Sequence, residues 1–262
     1  MKLSSLTWNI EGMKRNLFSL RNFTDLHQPH LIFLSEPQVF QSDLPAISKY
    51  FKGEYHLSLN SEDLHSPELS LTSVRAKGGT LVMWRNELDP YLTVQTHSSS
   101  SFLPIVLDIP GWKTMIHIAV YLPTSGKEVE FMEELANLRI KIENLQQKYH
   151  PAAVFIRGDC NASRTNPRRN SIFSKFITEM GLSRVELLHN TYHHFLGLGS
   201  SDSELEVLLF TDDQDIHEEL LEIVCKHENP LVDSHPVKLH CPICCSLKYS
   251  CRPISEYNCS KT

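Results

Sequence analysis

The stretch 154-VFIRGDCNAS-163 indicates how the chain is built, because an apolar run stops abruptly at polar residues. Val154 to Ile156 has the composition of a buried strand, and Asp159 and Asn161 follow it closely. Side chains two residues apart in a strand point to one face, so this pair is expected together at the strand's carboxyl edge. A carboxylate beside an amide suits the binding of a hydroxide or a phosphate. An Asx turn, in which both side chains bond their own backbone, explains the same residues.

Short apolar or alternating runs recur along the chain, which is the pattern of β-strands. These runs are 3–10, 31–35, 55–60, 79–84, 91–96, 102–109, 115–122, 152–156, 205–210 and 236–243. Helical periodicity is found at 16–27, 43–51, 127–149 and 170–180. Asn170 is the expected N-cap of the last helix.

Strands outnumber helices, and several neighbouring strands are linked too briefly for parallel crossovers. We therefore predict an α/β (α+β) fold in which two packed, mainly antiparallel β-sheets are flanked by helices. No linker divides the chain. Residues 1–246 are predicted to form one domain, and residues 247–262 a disordered tail.

The composition is that of a globular chain, with 41% hydrophobic and 21% charged residues. Neither a secretory signal nor a run of membrane-spanning length is visible, so no membrane partner is expected. The seven cysteines are odd in number and mostly C-terminal, which favours an intracellular protein over a disulfide-rich secreted one. The net charge of −6 is concentrated between Asp202 and Asp233, where eleven acidic residues accompany one basic residue. The remainder is mildly basic and is compatible with phosphate binding.

Polar side chains occur at the ends of other predicted strands as well. Five of them share this position: Asn9, Glu11, Glu36, Tyr121 and His235. A carboxylate such as Glu36, directly after an apolar run, is costly to bury alone. Each residue has a simple structural explanation by itself, but together with Asp159 they are the groups that a metal-assisted phosphodiesterase needs.

The order of the motifs resembles that of the endonuclease/exonuclease/phosphatase superfamily, the deoxyribonuclease I-like fold. The blocks are WNIEG (8–12), LSEP (34–37), GGTLVMW (78–84), AVYLP (119–123), RGDCN (157–161), NTYHHF (190–195), a Ser-x-x-carboxylate (203–206) and SHPV (234–237). Within the superfamily the chain most resembles the endonuclease domain of LINE-type (non-LTR) retrotransposons. The resemblance implies a four-layer sandwich and a monomeric, nuclear, DNA-nicking endonuclease that uses Mg²⁺, for which Mn²⁺ can substitute.

The resemblance also implies roles for single residues. Glu36 would be the main Mg²⁺ ligand, with Asn9 beside it in the metal and phosphate shell. Asp159 would orient or deprotonate the attacking water. Asn161 would hold the scissile phosphate, and Tyr121 would donate to a phosphate oxygen.

Further roles fall in the C-terminal third. Thr191 and Ser203 match hydroxyl positions that contact substrate, and His235 would contact the phosphate from the side opposite the metal. Two departures from the family pattern weaken the support of His235: Glu206 stands where the family has Asp, and Ser234 stands where the family has Asp before the histidine. If the block is aligned on Pro236 instead, Asp233 matches the family's Asp and Ser234 takes the histidine position. These departures predict a slower enzyme. The alternatives are a catalytically inactive nucleic-acid or protein-binding module and a phosphatase of small phosphoesters.

Two other features allow two interpretations each. The arginines near the Asp-x-Asn turn, which are Arg157, Arg164, Arg168 and Arg169, either follow a nucleic-acid backbone, with Arg157 and Arg164 binding substrate, or belong to a solvated loop. The C-terminal cysteines and histidines, including 241-CPIC-244, have the spacing of a zinc site. The apolar alternation from Val237 to Ile243 instead predicts a buried final strand.

Overall fold

The computed structural model describes residues 2–61, 64, 76–95, 99–163, 165–185, 192–196, 199–203, 206–211, 238–240 and 243–248. In chain order the strands and α-helices are β1 (Lys2–Asn9), α1 (Met13–His27), β2 (Leu31–Ser35), α2 (Leu44–Tyr50), β3 (Tyr55–Asn60), β4 (Thr80–Arg85), β5 (Leu92–Val94), β6 (Phe102–Leu107), β7 (Thr114–Tyr121), α3 (Glu128–Lys148), β8 (Ala152–Asp159), α4 (Pro167–Glu179), β9 (Leu182–Arg184), β10 (Tyr192–Leu196), β11 (Gly199–Ser203), β12 (Glu206–Thr211), β13 (Lys238–His240) and β14 (Ile243–Lys248). Two 3₁₀ helices cover Gln41–Asp43 and Asn86–Tyr91.

The strands form two large sheets and one small one. The five-stranded sheet has the order β14-β1-β2-β4-β3, and the six-stranded sheet has the order β5-β6-β7-β8-β12-β9. The pairs β1/β2 and β7/β8 are parallel, and the other pairs in both sheets are antiparallel. The predicted pair of mainly antiparallel sheets is therefore confirmed. The three-stranded sheet β11-β10-β13 was not predicted from the sequence.

Three apolar layers separate four structural layers. One apolar layer lies between the two large sheets, a second between the five-stranded sheet and helices α1 and α2, and a third between the six-stranded sheet and helices α3 and α4. Phe33 and Phe155 lie in the layer between the sheets. Leu20 and Ile32 lie in the layer beneath α1 and α2, and Phe131 and Val154 in the layer beneath α3 and α4. Because central strands are covered on both faces, β2 is buried along its whole length and is continuously apolar from Leu31 to Leu34.

Several boundaries differ from those predicted. The predicted last strand, 236–243, is divided between β13 in the small sheet and β14, which pairs with β1. Because β14 continues to Lys248, the predicted tail boundary at residue 247 falls inside a strand. Helix α4 begins at Pro167, and Asn166 rather than Asn170 caps it by accepting a hydrogen bond from the Arg169 N–H. Among the described helices, none has the length and apolar character that a bilayer span requires.

The parallel strand pairs place the polar strand ends at one edge. In β1/β2, Asn9 is the register partner of Ser35, the residue before Glu36. In β7/β8, Tyr121 is the register partner of Asp159. Parallel neighbours end at the same edge of a sheet, so each sheet contributes its own group of polar residues. The face-to-face packing brings the two groups together.

Candidate active site

The side chain of Asn9 joins the two sheets at this edge. Its Nδ2 atom donates one hydrogen bond to Glu36 Oε1 at 3.1 Å and another to Asp159 Oδ2 at 2.9 Å. Asn9 and Asp159 are each only 1% exposed, whereas Glu36 is partly exposed. The structure thus brings together two carboxylates from different sheets, bridged by a single amide group.

The orientation of the Asn9 amide is set by its own loop. Its Oδ1 atom accepts a hydrogen bond from the Glu11 backbone N–H at 3.2 Å, which leaves the nitrogen to face both carboxylates. An amide NH₂ group has no lone pair for a cation. The Nδ2 atom of Asn9 is therefore a hydrogen-bond bridge, and Oδ1 is the atom through which the predicted contact of Asn9 with a metal would be made.

The backbone around the site adopts conformations that are rare for residues other than glycine. Positive φ angles occur at Glu11 (44°), Glu36 (50°), Gln38 (51°) and Asn161 (48°). Such conformations cost about 1–3 kcal/mol each and tend to occur at functional sites. Glu36 is held by backbone bonds on both sides, from its N–H to Gly79 O (3.1 Å) and from the Gly12 N–H to its carbonyl (2.8 Å).

At Asp159 the Asp-x-Asn sequence forms an Asx turn and also presents a carboxylate oxygen to the candidate site. Asp159 Oδ1 accepts a hydrogen bond from the Asn161 N–H at 2.9 Å, which is an Asx turn. Its other oxygen faces Asn9 and the candidate site. Asn161 Nδ2 donates to Leu122 O at 2.8 Å, so the loop after β7 fixes the amide of Asn161.

Three neighbouring strands place Tyr121, Asp159 and Glu206 in one row at this edge. Tyr121 on β7 and Glu206 on β12 are the register partners of Asp159 on its two sides. Ser203 ends β11 in the small sheet, opposite Tyr192. The predicted site residues Arg164, Thr191 and His235 lie outside the described residues, as does Ser234.

Arg157, which the sequence predicts as a substrate-binding residue, is fully buried. Its side chain has no exposed surface, and its guanidinium lies over the rings of Phe33 (5.3 Å) and Phe155 (5.6 Å). One of its nitrogens, Nη1, donates to the Ser5 hydroxyl. Arg157 follows Ile156 in β8 with its side chain directed between the sheets, so it is part of the core.

Arg169 is also buried, and sequence reasoning missed its role. Its guanidinium donates hydrogen bonds to three backbone carbonyl oxygens, those of Pro123 (2.6 Å), Thr124 (2.6 Å) and Asn161 (3.1 Å). Arg169 therefore ties the start of α4 to the loop after β7 and to the Asp-x-Asn turn. Of the arginines expected along a nucleic-acid backbone, Arg168 is exposed.

Glu36 is the best candidate for a metal ligand. Its carboxylate accepts from Asn9 Nδ2 and, at 3.4 Å, from Gln38 Nε2, which leaves lone pairs for a cation. Two carboxylates bridged by a neutral amide form an anionic site that suits a hard divalent cation with several water ligands. Within the described residues no group of three or more His, Cys, Asp or Glu side chains forms a metal cluster. The cysteines after Cys245 and the pair His235 and Cys241, on which the zinc interpretation depends, lie outside those residues.

Comparison with known proteins identifies the fold. No protein-family model and no curated protein matches the chain. An AP endonuclease from Leishmania major aligns with a TM-score of 0.69 and 13% identity, over 95% of this chain and 88% of that one. The endonuclease domain of TRAS1, a telomere-specific non-LTR retrotransposon, aligns with a TM-score of 0.64 and 14% identity, over 95% of this chain and 99% of that domain. An endonuclease/exonuclease/phosphatase family protein from Bacteroides thetaiotaomicron aligns with a TM-score of 0.60 and 10% identity, over 95% of this chain and 98% of that one. The chain therefore has the endonuclease/exonuclease/phosphatase fold.

Proposed function

We propose that this chain is a Mg²⁺-dependent phosphodiesterase that nicks DNA, of the retrotransposon-endonuclease type. The observation that carries the proposal is the Asn9 bridge between Glu36 and Asp159, which assembles an acidic site from both sheets. The likeness in fold to a retrotransposon endonuclease domain supports the choice of substrate. An enzyme with this activity would act in the nucleus, where chromosomal DNA is found.

Each residue of the site has a task that its geometry allows. Glu36 would hold the cation, which when bound would neutralise charge that develops on the phosphate oxygens. Asp159 is fixed at both oxygens and can accept a proton from the attacking water as a general base. Asn161 lies two residues after Asp159 in the chain, and Tyr121 lies beside Asp159 on the neighbouring strand β7. The polar groups of both can orient the phosphate.

A phosphatase of small phosphoesters is the second candidate. The burial of Arg157 and Arg169 removes two of the cations that were expected to contact a nucleic-acid backbone. Phosphate contacts supply most of the affinity for DNA, so their loss favours a smaller substrate.

The first prediction concerns activity. In Mg²⁺ the protein converts supercoiled plasmid to the nicked form, and EDTA prevents this. Glu36→Gln removes the anionic ligand and abolishes Mg²⁺ binding measured by calorimetry. Asp159→Asn removes the general base and slows nicking by about 10²–10⁴-fold. Glu143→Gln on the exposed face of α3 is the matched control and leaves both measurements unchanged.

Three results would contradict the proposal in different ways. Unchanged Mg²⁺ affinity in Glu36→Gln places the metal elsewhere. Hydrolysis of p-nitrophenyl phosphate without plasmid nicking identifies the phosphatase. Plasmid binding in a gel-shift assay, without cleavage of either substrate, identifies the binding module.

A further inference from the structure

A row of four buried polar side chains crosses the five-stranded sheet next to the candidate active site. Asn9, Ser35, Thr80 and Asn60 are successive register partners on β1, β2, β4 and β3. Their exposed fractions are 1%, 2%, 0% and 0%. Cross-strand partners share a face of the sheet. The contacts of Asn9 with Asp159 and of Asn60 with Phe102 O (2.8 Å) show that this face meets the six-stranded sheet.

Ser35 makes the most specific contact in this row. Its hydroxyl donates to Val120 O at 2.9 Å and accepts from the Asp159 N–H at 3.3 Å. Those two backbone groups belong to β7 and β8, whose register pairs Val120 with Gly158 and Tyr121 with Asp159. One hydroxyl on the five-stranded sheet is therefore bonded to both central strands of the six-stranded sheet.

Gly158 provides the space for this contact. A Cβ atom at Gly158 would lie 2.1 Å from Val120 O and 3.1 Å from Ser35 Oγ. Only glycine lets the backbones of β7 and β8 and the Ser35 hydroxyl come this close. The close approach brings Ser35 to the residue that precedes Asp159.

The position of Ser35 in the chain gives the contact its consequence. Ser35 directly precedes Glu36, and its hydroxyl bonds the backbone of Asp159. The Asn9 bridge joins the two carboxylates through side-chain atoms alone, whereas Ser35 joins the backbones that carry them. We infer that Ser35 is a positioning residue that sets the separation of the Glu36 and Asp159 carboxylates, an inference that rests on the proposed catalytic role of that pair.

Thr80 offers a matched control. It is the register partner of Ser35 and is equally buried, but in the described part of the chain its hydroxyl has no hydrogen-bond partner. Thr80→Val removes this hydroxyl while keeping the shape of the side chain. Ser35→Ala removes a hydroxyl with two bonds, and Ser35→Cys keeps the approximate volume with a weaker donor.

The test combines crystal structures with kinetics. In Ser35→Ala the distance between the Glu36 and Asp159 carboxylates changes by about 0.5–1 Å, and kcat for plasmid nicking falls about a hundredfold with KM unchanged. Ser35→Cys recovers part of kcat, and Thr80→Val keeps the wild-type kcat, KM and carboxylate distance. A role in folding alone would lower thermal stability without this separation of kcat from KM.

The outcomes separate this inference from the proposed function. If carboxylates of Ser35→Ala superimpose on those of the wild type, the positioning role is wrong, whether or not the protein is a nuclease. If wild-type protein neither binds Mg²⁺ nor nicks DNA, the proposed function is wrong, and the carboxylate distances still decide the role of Ser35. If Ser35→Ala does not fold, the same measurements on Ser35→Cys decide it.

Discussion

Gly158 is the residue of the site where the backbone geometry leaves least room for a side chain. Its φ is +135°, a value that L residues rarely adopt, and a Cβ atom at this position would lie only 2.1 Å from Val120 O. The obstacle is backbone rather than the end of a flexible side chain, so a local rotation cannot relieve it. The glycine before Asp159 is therefore required by the packing of β7 against β8.

We predict that Gly158→Ala lowers the free energy of unfolding by more than about 4 kcal/mol, because it combines strain with a backbone collision. Urea denaturation measures this loss. Gly111→Ala is the matched control, since Gly111 also has positive φ (+81°) but nothing within 4 Å of a Cβ atom. It should cost only about 1–2 kcal/mol. Equal costs at the two positions would show that conformation, not contact, limits Gly158.

Helix α4 contributes its first turn to the site through Arg169. Arg169, Phe173 and Phe176 are buried on one face of the helix, at spacings of four and three residues. The arginine thus lies on the apolar face, where its guanidinium covers Phe131 of α3 at 4.5 Å and bonds the carbonyl groups of two loops. This spacing was a signal in the sequence that Arg169 is buried rather than free for nucleic acid.

We predict that Arg169→Ala destabilises the protein by about 3 kcal/mol or more, because it removes a fully buried guanidinium that donates to three backbone carbonyl groups and pairs with Glu128. The loop after β7 and the Asp-x-Asn turn lose their common anchor, so Mg²⁺-dependent nicking should fall as well. Arg168→Ala, one residue away and exposed, should change stability by no more than about 0.5 kcal/mol. Thermal unfolding and plasmid nicking measure both variants, and similar losses in the two would contradict the buried anchor. Arg169→Lys should not restore stability, since an ammonium group cannot reproduce the fork of donors.

The packing of the two large sheets buries a histidine whose protonation would destabilise the fold. His117 on β7 is fully buried and stacks on Phe155 with ring centroids 4.8 Å apart. Within the described residues neither ring nitrogen has a hydrogen-bond partner. Burial, and to a lesser extent the charge of Arg157, lowers the pKa of His117 well below its ordinary value of 6.5. The imidazole therefore stays neutral in the folded state at pH values where it is protonated in the unfolded chain.

This difference in pKa predicts a loss of stability in acid. Well above pH 6.5 His117 is unprotonated in both the folded and the unfolded state, so it does not lower the free energy of unfolding there. Below pH 6.5 only the unfolded state takes up the proton, so the free energy of unfolding falls by up to about 1.4 kcal/mol per pH unit. His117→Phe should flatten the pH dependence measured by urea denaturation between pH 6.5 and 5. His56→Gln, at an exposed histidine, is the control, and an unchanged slope in His117→Phe would contradict the prediction.

The elements of the fold and the polar strand ends were predictable because they depend on local pattern. The continuous apolar run of β2 and the stripe of α3 through Phe131, Leu138 and Leu145 are periodicities of neighbouring residues. Short links between strands likewise indicated antiparallel pairing. From these, two sheets with flanking helices followed, and Glu36 and Asp159 could be expected at strand ends.

Contacts between distant residues decided the rest. Asn9 and Asp159 are 150 positions apart, and Arg157 and Ser5 are 152 apart. No local pattern shows that the Asn9 amide turns its nitrogen toward two carboxylates, or that Arg157 points between the sheets rather than toward a substrate. The pairing of β14 with β1 and the bonds of Ser35 to Val120 and Asp159 likewise exist only once the sheets have packed. The chain's own pattern determined which residues end the strands, while the face-to-face packing of two sheets determined which of their atoms meet, because side-chain direction at a strand end depends on the opposing backbone.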